Sequence, residues 1–124
     1  MIKKIINLFF GAPDKLLYAF IVIVVLDYIT GVCAAVHTKT LSSKIGAKGI
    51  SKKVTTFAVI SLAHVVDKYF LQLDDAIRAL TTIFYITNEC ISVLENVGNT
   101  GLPIPSKLQQ TIKSLKEDMP SSKI

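Results

Sequence analysis

The stretch LLYAFIVIVVLDYITGVCAAV, Leu16 to Val36, decides the fold. Its 21 residues are what a helix needs to cross a hydrocarbon core of ~30 Å. A single charge, Asp27, falls near the middle. Twelve of the residues are Leu, Ile, Phe or Val. At roughly −0.3 to −0.6 kcal/mol each, they contribute about −4 to −7 kcal/mol, against about +3 kcal/mol for a central Asp. Insertion survives the aspartate, and the block is expected to span.

Two further apolar blocks follow. Val54 to Leu73, VTTFAVISLAHVVDKYFLQL, has ten Leu, Ile, Phe or Val in 20 residues. Its polar groups, His64, Asp67 and Lys68, gather in the second half, where Lys68 can snorkel toward the interface. Ile77 to Leu94 is weaker, with eight such residues set against Arg78, Asn88 and Glu89. There the same arithmetic gives about −2.4 to −4.8 kcal/mol, which one buried charge nearly cancels. This third block needs helix partners in order to span.

The whole chain has the same bias. It is 51% hydrophobic and 19% charged, with a mean hydropathy of +0.51 and a net charge of +5 over 124 residues. A soluble domain carries roughly 25% charged residues, so water-facing surface is short. Disorder is excluded by the aliphatic content and a disulfide scaffold by the count of two cysteines. The longest run without a charge, Val54 to Val66, has only 13 residues, so the positions of the interrupting charges matter.

Those positions are ordered. Residues 37–53 contain Lys39, Lys44, Lys48, Lys52 and Lys53 and no acid, and are read as a basic, topology-setting loop. The tail, residues 96–124, begins with helix-ending Gly98, Gly101, Pro103 and Pro105 and continues polar, with Lys107, Lys113, Lys116 and Lys123. With three spans, loop and tail fall on one side. Lys/Arg bias then places the N-terminus outside and the C-terminus in the cytoplasm, with nine basic residues inside and five outside. At the start, Lys3 and Lys4 with IINLFFGA read as a short interfacial helix ending before Pro13, in preference to a cleaved signal.

On a helix, Arg78, Thr81, Tyr85, Asn88, Ser92 and Glu95 share a face. Such a face turns toward partner helices or water, or else the helix lies flat at the interface. In the first block Asp27 and Thr30 share a face, and Gly31 and Ala35 give a small-xxx-small spacing that lets helices approach closely. Asp27 is either an interhelical hydrogen-bonding group or a carboxylate paired with a lysine of the same subunit. Asp27, Thr30, Gly31, Thr81, Asn88, Ser92 and Glu95 are the candidates for assembly or for lining a lesion.

Enzymatic chemistry has no visible carrier. There is no nucleophile–base arrangement, no phosphate loop, and no metal set, since His64 and Asp67 lack further ligands nearby and read as a hydrogen-bonded helical face. Cys33 and Cys90 sit in apolar segments as packing thiols. No cofactor is expected. The basic loop holds no aromatics, which argues against nucleic acid and for the anionic bilayer surface.

Four elements in order, Asp27-Tyr28-Ile29-Thr30-Gly31, LSSKIGAKGISKKV (Leu41 to Val54), NECISVLEN (Asn88 to Asn96) and GLPIP (Gly101 to Pro105), resemble the phage lysis and toxin-secretion holin family. The resemblance runs from about Leu16 into the tail. It implies a small multi-pass protein of the bacterial cytoplasmic membrane that forms homo-oligomers. At a set time it opens a lesion that releases an endolysin or a toxin and collapses the membrane potential. The expected architecture is a single all-α membrane domain, residues 1–124, with spans at 16–36, 54–73 and 77–94. A non-pore module, such as an antiholin or an anchor recruiting a partner through its tail, stays open as the alternative.

Overall fold

The computed structural model describes residues 1–117, and the end of the expected tail, 118–124, lies outside them. Helices account for the ordered secondary structure, and there are no strands among the described residues. Helix α1, Ile2–Phe10, stops at Gly11, which adopts φ 82° and ψ −176°. That region of backbone space is essentially reserved for glycine. Pro13 prevents the helix from resuming at once. Asp14 then caps the next helix by accepting the Leu17 N–H at 2.9 Å.

Helix α2, Lys15–His37, has 23 residues. At 1.5 Å per residue it is about 34 Å long, enough to cross a bilayer core. Its buried positions, Leu17, Phe20, Val24, Asp27 and Ala34, form one stripe. Tyr18, Ile21, Val22, Val25, Leu26 and Ile29 point outward.

The expected basic loop is largely a helix. Only residues 38–42 connect α2 to α3, Ser43–Val65, so Lys44, Lys48, Lys52 and Lys53 lie on the first turns of α3. Ser42 supplies the cap, accepting the Ile45 N–H at 3.2 Å. Gly46 and Gly49 each cost about 1 kcal/mol in a helix, but propagation from the apolar Val54–Val65 segment carries the helix back through them.

A π-helical turn, Val66–Leu71, continues α3 and ends at Gln72 in the left-handed region, φ 52°. The Asp67 carboxylate accepts the N–H groups of Leu73 at 2.9 Å and Ile77 at 2.7 Å. It thereby caps α4, Ala76–Asn99, in place of Asp75, whose side chain makes no cap bond. After Gly101 and the two prolines, α5 covers Ser106–Glu117 and buries none of its residues.

Helix α4 is the centre of the molecule. It packs along α2 and against α3, while α1 lies on α3 and α5 folds back on α4. Phe20, Val24 and Ile60 form the apolar core, flanked by Phe10, Phe57, Tyr85 and Ile86. The Phe57 ring stands edge-on to Phe20 at 4.9 Å and to Phe10 at 5.9 Å. Asp27, Thr56, His64, Asp67, Arg78, Thr82 and Thr87 are also buried, outnumbering the buried apolar side chains. A polar interior beneath an apolar exterior suits lipid as the surrounding solvent. Two helices, α2 and α3 with its π-helical turn, are long and apolar enough to be candidate spans.

Candidate functional site

The interior polar groups form two clusters. The first bridges α2, α3 and α4. Lys53 Nζ donates to Asp27 Oδ2 at 2.5 Å and to Glu89 Oε2 at 3.3 Å. From α4, Asn96 Nδ2 donates to Asp27 Oδ1 at 2.9 Å, to the Asp27 carbonyl at 3.2 Å and to Thr30 Oγ1 at 3.1 Å. Asp27 is only 7% exposed. Two carboxylates thus share one ammonium, an arrangement that tolerates no loss of a partner: breaking a buried pair costs about 3–5 kcal/mol.

This cluster forms the wall of an open cleft of 560 Å³ between α2, α3 and α4, lined in part by Gly31, Ala35, Gly49, Lys52, Asn88 and Ser92. The glycines set its width. A Cβ on Gly31 would come within 3.5 Å of Asn96 Nδ2, whereas Gly49 faces open space.

The second cluster closes the other end of the bundle. Arg78, 2% exposed, makes a fork to Asp14, with Nη1 at 2.9 Å from Oδ2 and Nη2 at 3.3 Å from Oδ1. Its Nε donates to the Phe10 carbonyl. The Arg78 hydrogen bond holds the Asp14 carboxyl below the ordinary carboxylate range. His64, 3% exposed, stacks into the same corner with neither ring nitrogen hydrogen-bonded and Asp75 3.9 Å away. No room remains: a Cβ on Gly11 would sit 3.1 Å from His64 Cε1 and 3.3 Å from Arg78 Nε. The expected hydrogen-bonded His64–Asp67 face does not form, because Asp67 is occupied by backbone N–H groups. Among the described residues no group of three His, Cys, Asp or Glu is placed to hold a metal.

The sequence profile of the bacteriophage holin family matches residues 4–117. The chain belongs to that family. An uncharacterised protein of Halalkalibacterium halodurans is 38% identical over 91% of this chain and 87% of its own length. An uncharacterised 14.9 kDa protein from the nagH 3′ region of Clostridium perfringens is 42% identical over 86% of this chain and 80% of its own. A protein of Bacillus phage phi105, described as a probable holin, is 31% identical over 84% of this chain and 76% of its own. No solved structure matches the chain. The holin family is not an enzyme family, and its members are membrane proteins.

Within this holin-family chain the sequence-derived candidates separate. Asp27 and Thr30 belong to the central cluster, and Gly31, Asn88 and Ser92 line the cleft. Thr81 is half-buried outside both networks, and Glu95 is exposed. Lys39 sits in the short turn at φ 59°, and Lys44, Lys48 and Lys52 are exposed on α3. Lys53 does not act as a loop charge; it is the cation of the cluster. Cys33 and Cys90 are free thiols, Cys33 exposed on the outer face of α2.

The expected stripe on α4 is displaced. From Arg78, Tyr85 and Ser92, steps of three give Thr81, Asn88 and Glu95; steps of four give Thr82, Glu89 and Asn96. The second set supplies the cluster and the buried Thr82, while the first set is the outer edge of one broad polar face. Glu89 and Asn96 were the missed residues. The signal for them was Asp27 itself, since an intramembrane carboxylate requires a partner at matching depth.

Proposed function

We propose that the protein is a holin: copies assemble in the bacterial cytoplasmic membrane and, at a set time, open a lesion. The lesion releases an endolysin or a toxin and depolarises the cell. The observation that carries this reading is the Asp27–Lys53–Glu89 cluster on the wall of a polar cleft, inside a bundle whose outer face is apolar. Polar groups stored between helices are what an aqueous lesion needs on its wall once the helices separate.

In this reading α4 is the third span. It is too polar to stand alone in lipid, and packing along α2 covers its inner edge. The loop end and the tail then lie in the cytoplasm. With Lys53 and Arg78 set aside as paired, Lys39, Lys44, Lys48, Lys52, Lys107, Lys113 and Lys116 lie on that side, against Lys3, Lys4, Lys15 and Lys68 outside. The positive-inside bias favours the N-terminus out and the C-terminus in.

Timed expression in a bacterium tests the reading. Abrupt loss of membrane potential is expected; slowed growth with the potential intact would overturn it. Removing residues 106–124 separates a pore former from an anchor, because the pore former still depolarises the cell.

A further inference from the structure

Among the described residues the ion pairs are Lys53 with Asp27 and Glu89, Arg78 with Asp14, and His64 facing Asp75. Lys44, Lys48 and Lys52 on α3 and Glu95 on α4 have no partner within the chain, and all four are exposed. They stand on helices whose remaining exposed surface is rich in Leu, Ile and Val.

Their heights agree. The Lys53–Glu89 contact at 3.3 Å puts those two positions level. The helices run in opposite directions, so counting back along α3 and forward along α4 moves toward the same end of the bundle. Lys48 lies five residues from Lys53 and Glu95 six from Glu89, about 7.5 and 9 Å along their helices at 1.5 Å per residue. Lys48 and Glu95 are therefore at nearly one level, with Lys52 and Asn88 together about two turns or less above. Opposite charges at one depth, unable to meet within a copy, are complementary between copies.

We propose that copies associate head-to-tail, the outer edge of α4 in one copy (Asn88 and Glu95) seating against the lysine row of α3 in the next (Lys48 and Lys52). This rests on the reading of α4 as a span and names the contact that assembly uses. Because the two surfaces differ, each copy keeps one of each free for a further neighbour, so the contact generates rings or open arrays. Like the intramolecular cluster, it joins α3 to α4, and it would cover the polar edge that α2 leaves bare.

Disulfide cross-linking in native membranes tests it, in the full chain with Cys33→Ser and Cys90→Ser. Lys48→Cys combined with Glu95→Cys is expected to give a ladder of dimers, trimers and higher species; absence of a ladder overturns the proposal. With an amine-reactive cross-linker on chains retaining Lys107 and Lys113, Glu95→Lys alone, or Lys48→Glu with Lys52→Glu, is expected to lower the oligomer fraction about tenfold. All three changes together should restore it to within twofold. Failure of the triple change to restore oligomers, with each variant inserted normally, assigns the lysines to lipid headgroups and overturns the proposal. Cross-linking reads the contact without reference to lysis. Depolarisation without a ladder removes this interface and leaves the holin reading standing; a ladder without depolarisation does the reverse.

Discussion

The two buried polar clusters are built from the same materials and differ in the space around them. At the Arg78 end a guanidinium forks to Asp14, bonds the Phe10 carbonyl, and is boxed in by His64 and Gly11. At the centre Lys53 divides one ammonium between two carboxylates beside a 560 Å³ cleft. The first is a clamp: each donor of the fork has its acceptor and nothing can move without a clash. The second is held by charge across three helices, with room for those helices to part. Rigidity at one end and a cleft at the other direct any rearrangement to the half of the bundle that carries Asn88 and Ser92.

The largest effect should come from Lys53→Met, which leaves Asp27 and Glu89 facing each other without a cation. A loss of about 3–5 kcal/mol is expected, read as a fall in detergent-solubilised melting temperature and in membrane accumulation. Adding Asp27→Asn and Glu89→Gln should recover most of it. Equal stability of Lys53→Met and the parent would dissolve the distinction between the clusters.

Gly11→Ala attacks the clamp. The new Cβ meets His64 and Arg78, in a backbone region closed to other residues. A cost of order 1–3 kcal/mol is expected. Faster proteolysis around residues 10–14, with the central cluster undisturbed, is the readout.

Asn88→Leu tests the cleft side: it should strengthen insertion of α4 and block permeabilisation to a potential-sensitive dye. Normal permeabilisation would detach the cleft from function.

The smallest effect is one of pH. The carboxyl pKa of Asp14 is depressed in the folded chain, so its contribution is complete above the ordinary value of about 4 and is lost as pH falls through the lower folded value. Asp14 is half exposed, and screening holds the contribution below about 1 kcal/mol. Asp14→Asn should abolish that acid-side slope, measured by melting temperature between pH 6 and 3.

The sequence made the apolar spans legible because composition alone decides them: Leu16 to Val36 is long, aliphatic and interrupted once. It was less informative wherever two helices had to agree. The five lysines were read as a loop because charge and glycine usually end a helix, yet Ser42 caps one there and Lys53 is drawn in by partners 26 and 36 residues away. The stripe on α4 was found but turned by one residue, since steps of three and of four are equally helical and only the neighbour chooses between them. Asp27's partner was among the two alternatives the residues allowed. The π-helical turn left no mark in periodicity at all.

That turn has a consequence for biogenesis. Its Asp67 holds the N–H groups of Leu73 and Ile77, so the first turn of α4 is nucleated by the end of α3. The two helices leave the ribosome as one hairpin with its bend already capped. A segment too polar to partition by itself then enters lipid as the second arm of a hairpin, carried by the hydrophobicity of the first.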